Sequence, residues 1–482
     1  MKLMSLGKTL RGDFVIPVMD EEVVAAALAA RLAENAAGLR RIGELVRHGI
    51  TLRGEIPHLV VDPADPRAVG WTFLVAASDP RLEEIKAILR PLAERRGMTD
   101  PGTPLLFHGE PEEEYQNWIE SYYFQPELDS KRVPHYVLMV GDPTRLPFHL
   151  QSTLSTVARV GRLDFDEMEQ LSRYVNKVLR IEDAPAPVVS REVVMFGTDG
   201  GPEDPTSFSR SYMVEPLAEY VRENFGFRTT MLLGDDATKS RLAATLRQRS
   251  PALVYTASHG MVMEGQPLPI QQRYNGALCC QTAGPPTLED LFGADDIPSD
   301  VPFLDGAVFF QFACFSAGTP QRSIQEHWLT GNSKVYAEKD FVAALPKKML
   351  GLERGPIAMI GHMDVATLHG FADPKEPFMI DRWSKRMEPF VHTVAQLLRV
   401  MPSGLALEDM SKKLGLCNGT LADAYDLQKR DKLDMTPQRL RRLVDFWVYR
   451  NDAQNFLLLG DPAARLRIPD EAAVGQEKGA NP

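Results

Sequence analysis

Residues 253–260, LVYTASHG, and residues 308–314, VFFQFAC, decide the fold. Each is a short apolar run without alternation, the pattern of a strand buried on both faces of a parallel sheet. Each also finishes in a residue that carries chemistry: His259 followed by Gly260, and Cys314. The pattern recurs on either side. Val193 to Phe196, Thr229 to Leu233, Pro356 to Ile360 and Asn455 to Leu459 read as further strands, with helical spacing at Met213, Leu217, Tyr220, Val221 and Phe225 and again at Leu242 and Leu246. Upstream, Trp71 to Ala77 and Tyr136 to Val140 are strand-like, and Arg81 to Arg96, Glu112 to Tyr123 and Asp164 to Arg180 are helical, the last with Asp164 and Glu167 spaced as a capping-box variant. Strands alternating with helices predict an α/β chain whose parallel sheet is flanked by helices.

The stretch Asp183 to Pro187, DAPAP, has two prolines in three residues and cannot continue a helix, so the main boundary is placed there. The expected organisation has a helical appendage over residues 1–65, built on the apolar spacing of Val24, Leu28, Leu32, Leu39, Ile42 and Leu45. A smaller α/β subdomain over 66–186, a larger α/β domain over 187–470 and a disordered tail over 471–482 follow.

Composition narrows the function classes. The 482 residues are 44% hydrophobic and 25% charged, ordinary for a globular chain with room for several domains. With 54 Lys and Arg against 65 Asp and Glu, the formal charge of −11 provides no footprint for a phosphate backbone or an anionic membrane. Four cysteines, two of them adjacent at Cys279 and Cys280, form neither a disulfide framework nor zinc spacing, which points to a reducing compartment and to no metal. No run reaches the ~18 apolar residues of a membrane helix. Gly7, Gly12 and Asp13 break the N-terminal stretch, so a cytoplasmic location is expected. There is no GxGxxG after a strand, no P-loop, no HExxH and no GxSxG, hence no cofactor is expected.

In an open α/β sheet the carboxyl ends of the strands gather the chemistry. A thiol becomes a nucleophile when a neighbouring base takes its proton, and an imidazole on the next strand end can do so and then protonate a leaving amine. Cys314 and His259 supply these two roles. Gly260 has no side chain to block a substrate, and its N–H together with that of Cys314 forms the expected oxyanion hole. For substrate binding, Asp199 follows one strand end and Asp364 another, so the expected cleavage is after Arg or Lys.

A hydrophobic block ending in His-Gly, then a hydrophobic block ending in Ala-Cys, resembles the caspase-like cysteine peptidases, which include caspases, legumain, separase, gingipains and CHAT-domain peptidases. The separation of fifty-five positions from His259 to Cys314 is close to the ~50 of the caspase signature. The gingipain-like branch fits best: Tyr136 to Phe148 (YVLMVGDPTRLPF), Val160 to Leu163 (VGRL) and Asn455 to Leu466 (NFLLLGDPAARL) are similar to its Gly-Asp blocks, the last also to the end of CHAT domains. The resemblance implies a subdomain without catalytic residues before a caspase-like catalytic domain. It implies a cysteine endopeptidase cutting a protein substrate through a His-Cys dyad in a prokaryotic defence or cell-death circuit, under control of an activating partner or of processing. The alternative is a caspase-fold scaffold without proteolysis, which the retention of both His259 and Cys314 argues against. Gingipains carry an acidic calcium-binding stretch where this chain has only His149 to Val160 (HLQSTLSTVARV), without an acid. The loop Glu264 to Asp305 is expected to shape the groove, and Thr319 to Arg354, with Lys347, Lys348 and Arg354, to hold any activating cut.

Overall fold

The apolar runs do become strands, and pairing between them fixes which of their ends meet. The computed structural model describes residues 2–20, 22–28, 39–46, 61–124, 133–323, 333–371, 386–431 and 436–469. In chain order we label β1 Gly7–Thr9, β2 Trp71–Ala76, β3 Leu105–Phe107, β4 Tyr136–Val140, β5 Arg159–Leu163, β6 Ser190–Gly197 and β7 Arg228–Leu233. Then come β8 Pro251–Ala257, β9 His259–Val262, β10 Leu278–Cys279, β11 Leu291–Phe292, β12 Val308–Phe312, β13 Ala358–His362 and β14 Phe456–Gly460. The helices used below are α1 Leu82–Arg95 and α2 Met168–Glu182.

One ten-stranded sheet runs in the order β3-β2-β4-β5-β14-β13-β12-β8-β6-β7. It consists of two five-stranded parallel halves, because β14 runs parallel to β5 but antiparallel to β13. The late strand β14 therefore stands with the upstream half and forms the seam. Every residue of β2, β4, β8, β12 and β13 is buried, as the unbroken apolar runs require. A second sheet, β11-β10-β9-β1, stands beyond the end of β8.

The Gly-Asp block after β14 ties the seam. Asp461, fully buried, accepts from the Trp71 indole at 2.9 Å and from Arg96 at 2.6 Å, and Arg96 also grips Glu182 at 2.6 Å, so β2 and the ends of α1 and α2 are fastened to the last strand. Arg162 on β5 does the same for the Gly141 block. Fully buried, it donates to Gln151 and to the carbonyls of Gly141 and Leu146.

Two local readings change. The capping box of α2 is made by Glu167 and Gln170, one turn later than Asp164 and Glu167, because Asp164 is instead buried against Lys347. In the 1–65 region, residues 22–28 and 39–46 are helical, but residues 2–20 are not: Lys2–Leu3 pairs with Met19–Asp20, and β1 joins the second sheet. The tail 471–482 and residues 324–332 of the segment expected to be cut lie outside the described residues. Among the described residues, no helix is long and apolar enough to cross a membrane.

Candidate active site

Register brings the expected residues to one edge. Ala257 at the end of β8 stands beside Phe312 of β12 and Gly197 of β6, so the residues that follow these three strands emerge together. Cys314 comes two residues after β12, His259 two residues after Ala257, and the loop 198–204 directly after β6. The residue after His259 meets the Cys314 backbone: a Cβ placed on Gly260 would lie 1.9 Å from the Cys314 carbonyl oxygen and 2.9 Å from its nitrogen. Only glycine fits there, and the His259 strand packs directly on the Cys314 backbone.

Cys314 ends its strand in a strained corner. Phe315 has φ of +59°, a left-handed conformation costly for a bulky residue. The corner is held from several sides: the Phe315 N–H donates to the Asp364 carbonyl at 3.0 Å, the Ala317 N–H to that of His362 at 2.9 Å, and the Ser316 hydroxyl to that of Ala313 at 2.8 Å. The Cys314 Sγ accepts from the Ala366 N–H at 3.1 Å. Burial pushes this thiol well above its ordinary pKa, so it is protonated as it stands.

His259 is 5% exposed, and its Nε2 lies 2.8 and 2.9 Å from the two carboxylate oxygens of Asp204. Its Nδ1 is buried and, among the described residues, makes no hydrogen bond of good geometry, although the Leu6 backbone lies close enough to the ring to favour its charged form. Burial pulls the imidazole pKa below 6.5 and the carboxylate partly restores it, so the ring is neutral near pH 7. Neutral and with Asp204 accepting at Nε2, the ring is the tautomer that carries its proton there and presents a bare Nδ1 as base. Asp204 itself is desolvated, which alone would raise its pKa. The hydrogen bonds from His259, Lys8 and Thr206 outweigh this and hold it far below the usual carboxylate range. It also caps the short helix Pro205–Ser209 by accepting from the Thr206 N–H at 3.0 Å.

Asp204 is the site residue that sequence reading missed. The sequence marks this loop through Asp199, and the acid that reaches His259 lies five residues further on. An Asp-Pro step opening a helix in a strand-end loop was the signal available. Asp199 lies in the same loop and lines a cavity of about 280 Å3 together with His259, Lys8, Thr206 and Gln281. Its carboxylate is engaged by Arg210 at 3.0 Å and by the Ser207 hydroxyl. Asp364 is fully buried under the Cys314 corner, its carboxylate accepting from the Val365 N–H at 2.7 Å. The Gly260 N–H, expected as an oxyanion-hole donor, donates to the carbonyl of Leu6 at 2.9 Å, within the parallel pairing of β9 with β1. A larger cavity, of about 800 Å3, opens between residues 404–426 and β5 and holds neither His259 nor Cys314.

The arrangement can move one proton from a thiol to an imidazole and on to a leaving group, with a buried carboxylate fixing the tautomer and a backbone N–H facing a developing oxyanion. The profile of peptidase family C25 matches residues 102–467 of this chain. No curated protein sequence matches. Among solved structures, one described only as a protease is 14% identical with a TM-score of 0.47, covering 82% of this chain and 78% of that one. The RgpB pro- and mature domains of Porphyromonas gingivalis are 12% identical with a TM-score of 0.42, covering 82% and 79%. Separase in the Saccharomyces cerevisiae separase–securin complex is 13% identical with a TM-score of 0.34, and the match spans 74% of this chain but 17% of that one.

Proposed function

The chain belongs to peptidase family C25 and is a cysteine peptidase acting on protein substrates, and from that premise we propose that it is an endopeptidase working through Cys314 and His259, with Asp204 as the orienting acid. One observation carries the assignment of roles: His259 is fixed by Asp204 through Nε2 while its buried Nδ1 is engaged by no side chain among the described residues, on the strand packed against the Cys314 backbone. In the first step the Cys314 thiol gives its proton to Nδ1 as the sulfur attacks the substrate carbonyl carbon, and the oxyanion takes the Gly260 N–H, joined by that of Cys314. The carbon–nitrogen bond then breaks and the proton on Nδ1 passes to the leaving amine. Water, giving a proton to the same nitrogen, hydrolyses the thioester to a carboxylate and the thiol is restored. Asp204 stabilises the imidazolium formed in both halves, as a buried carboxylate does beside a catalytic imidazole.

The experiment is a peptidase assay on the full chain with Cys314→Ala, His259→Ala and Cys280→Ala. The first two are expected to abolish turnover with the melting transition retained, and Cys280→Ala to keep it. Turnover retained in Cys314→Ala overturns the mechanism. The finer part of the reading, a dedicated protein substrate in a cytoplasmic prokaryotic defence or cell-death circuit under an activating partner, is supported by the resemblance to CHAT-domain peptidases. Trapping with Cys314→Ala in the source cell, followed by identification of the retained protein, tests it.

A further inference from the structure

Cys314 is covered by the backbone of residues 4–7, which pair beside it in the manner of a peptide being read. Met4 to Gly7 cross it, with a bridge at Ser5 and a bend at Leu6. The Leu6 N–H donates to the Ala366 carbonyl at 2.8 Å, the Leu368 N–H donates to the Met4 carbonyl at 3.0 Å, and Ser5 bridges Thr367 in antiparallel register. This is main-chain pairing of an added strand, the way extended peptides dock on an exposed edge. The partner edge is the segment that follows β13 and passes beside the thiol, for the Ala366 N–H also bonds the Cys314 Sγ. On the far side the Leu6 carbonyl accepts from the Gly260 N–H at 2.9 Å, the donor assigned above to the oxyanion. A Cβ on Gly7 would sit 3.2 Å from the Cys314 Sγ. The bond presented to the thiol is therefore Leu6–Gly7, with Leu6 as the residue whose carbonyl would be attacked.

That register states what the pocket accepts. The Leu6 side chain is fully buried and joins the main apolar core of the molecule. Two residues beyond, Lys8 reaches Asp204 at 2.6 Å, on the leaving-group side, so the cation of this segment is received there and not beside the attacked carbonyl. Asp199 is already paired with Arg210.

Resting on the reading of Cys314 and His259 given above, we infer that the peptidase cleaves after leucine or a similar unbranched-β apolar residue, favours a small residue next and a basic one after that, and that Met4 to Lys8 holds the cleft as an internal copy of such a substrate. This replaces the expected preference for Arg or Lys before the cut by a preference for Lys two positions after it. A charged side chain in the Leu6 site would be desolvated among the apolar core residues that Leu6 joins, whereas leucine gains from burial.

The test uses the full chain and internally quenched peptides of sequence Met-Ser-X-Gly-Lys, with X as Leu, Arg, Lys or Asp. Turnover of the Leu peptide is expected to exceed the other three by about tenfold or more, the discrimination an apolar pocket reaches against a misfit. Leu6→Asp should expel the segment and raise turnover of the Leu peptide by a similar factor. Because Leu6 is buried, Lys8→Ala is measured beside it: loss of the ion pair loosens the same segment from its exposed end. Preference for X as Arg, Lys or Asp overturns the inference and leaves the peptidase standing, as does a folded Leu6→Asp and Lys8→Ala pair with no gain. Absence of turnover on every peptide by every variant overturns the peptidase mechanism itself.

Discussion

Replacing Asp204 by Asn isolates what the carboxylate does for His259. The amide keeps the shape and keeps the helix cap, since Asn caps as well as Asp, so the fold should persist. What disappears is a full negative charge 2.8 Å from Nε2 at the moment the ring becomes an imidazolium. Unit charges about 4 Å apart at an effective dielectric of about 20 attract by about 4 kcal/mol, which is about 10³-fold in rate. Lys8 shares the same carboxylate at 2.6 Å and offsets part of that field, so the expected loss in kcat/KM is about 10² to 10³-fold. The assay is kcat/KM against pH with a peptide substrate, for the wild type and Asp204→Asn. Burial places the His259 pKa below 6.5 and Asp204 pulls it upward, so the acid limb of the wild type should lie below pH 6.5 and that of the variant lower still. A variant within threefold of wild type, or one whose acid limb moves to higher pH, would refute the orienting role.

Gly260→Ala forces a Cβ onto the Cys314 carbonyl oxygen, so it should lower the melting temperature and abolish activity, while Gly284→Ala, with open space around it, should do neither. Arg96→Ala strands Asp461 and Glu182 as uncompensated charges at the seam, and chemical denaturation should register a loss of about 3–5 kcal/mol. Asp452, buried behind Thr367, has its pKa pushed up to about 7 chiefly by burial. Its protonated form is the folded one, so its contribution is complete below about pH 4, the unfolded pKa, and is lost as pH rises through about 7. Stability of Asp452→Asn relative to wild type should therefore rise between pH 5 and 8, and a flat difference would contradict the assignment.

The strands were legible because they are buried on both faces: LVYTA and VFFQF have nowhere to go but the middle of a sheet, and register then carries His259 and Cys314 to one edge without further information. Asp204 was hidden for the opposite reason. Its link to His259 spans fifty-five residues and depends on where the loop after β6 turns, which no local pattern states. The segment Met4 to Thr9 was hidden more completely. A three-residue strand reading Gly-Lys-Thr has no periodicity, and its pairing partners are backbone groups of residues 260–262 and 366–368. Backbone hydrogen bonding is common to all residues, so a sequence cannot advertise which stretch will use it. The apolar spacing after Asp20 does produce helical segments, but among the residues before it Gly7–Thr9 join the second sheet beside His259.

The placement of β14 sets a clock on biosynthesis. Ribosomes deliver the chain from its N-terminus, and domains generally fold as units as they emerge. Here the two halves of the sheet have no shared strand until Phe456 to Gly460 arrives and slots between β5 and β13. Until then the edge bearing the thiol belongs to a half-sheet with an open flank. Chains arrested at residue 450 are expected to be sensitive to added protease and inert toward peptides, and release of the full length to bring both properties to their final values together. An arrested chain that already turned over substrate would show that closing the seam is not what completes this enzyme.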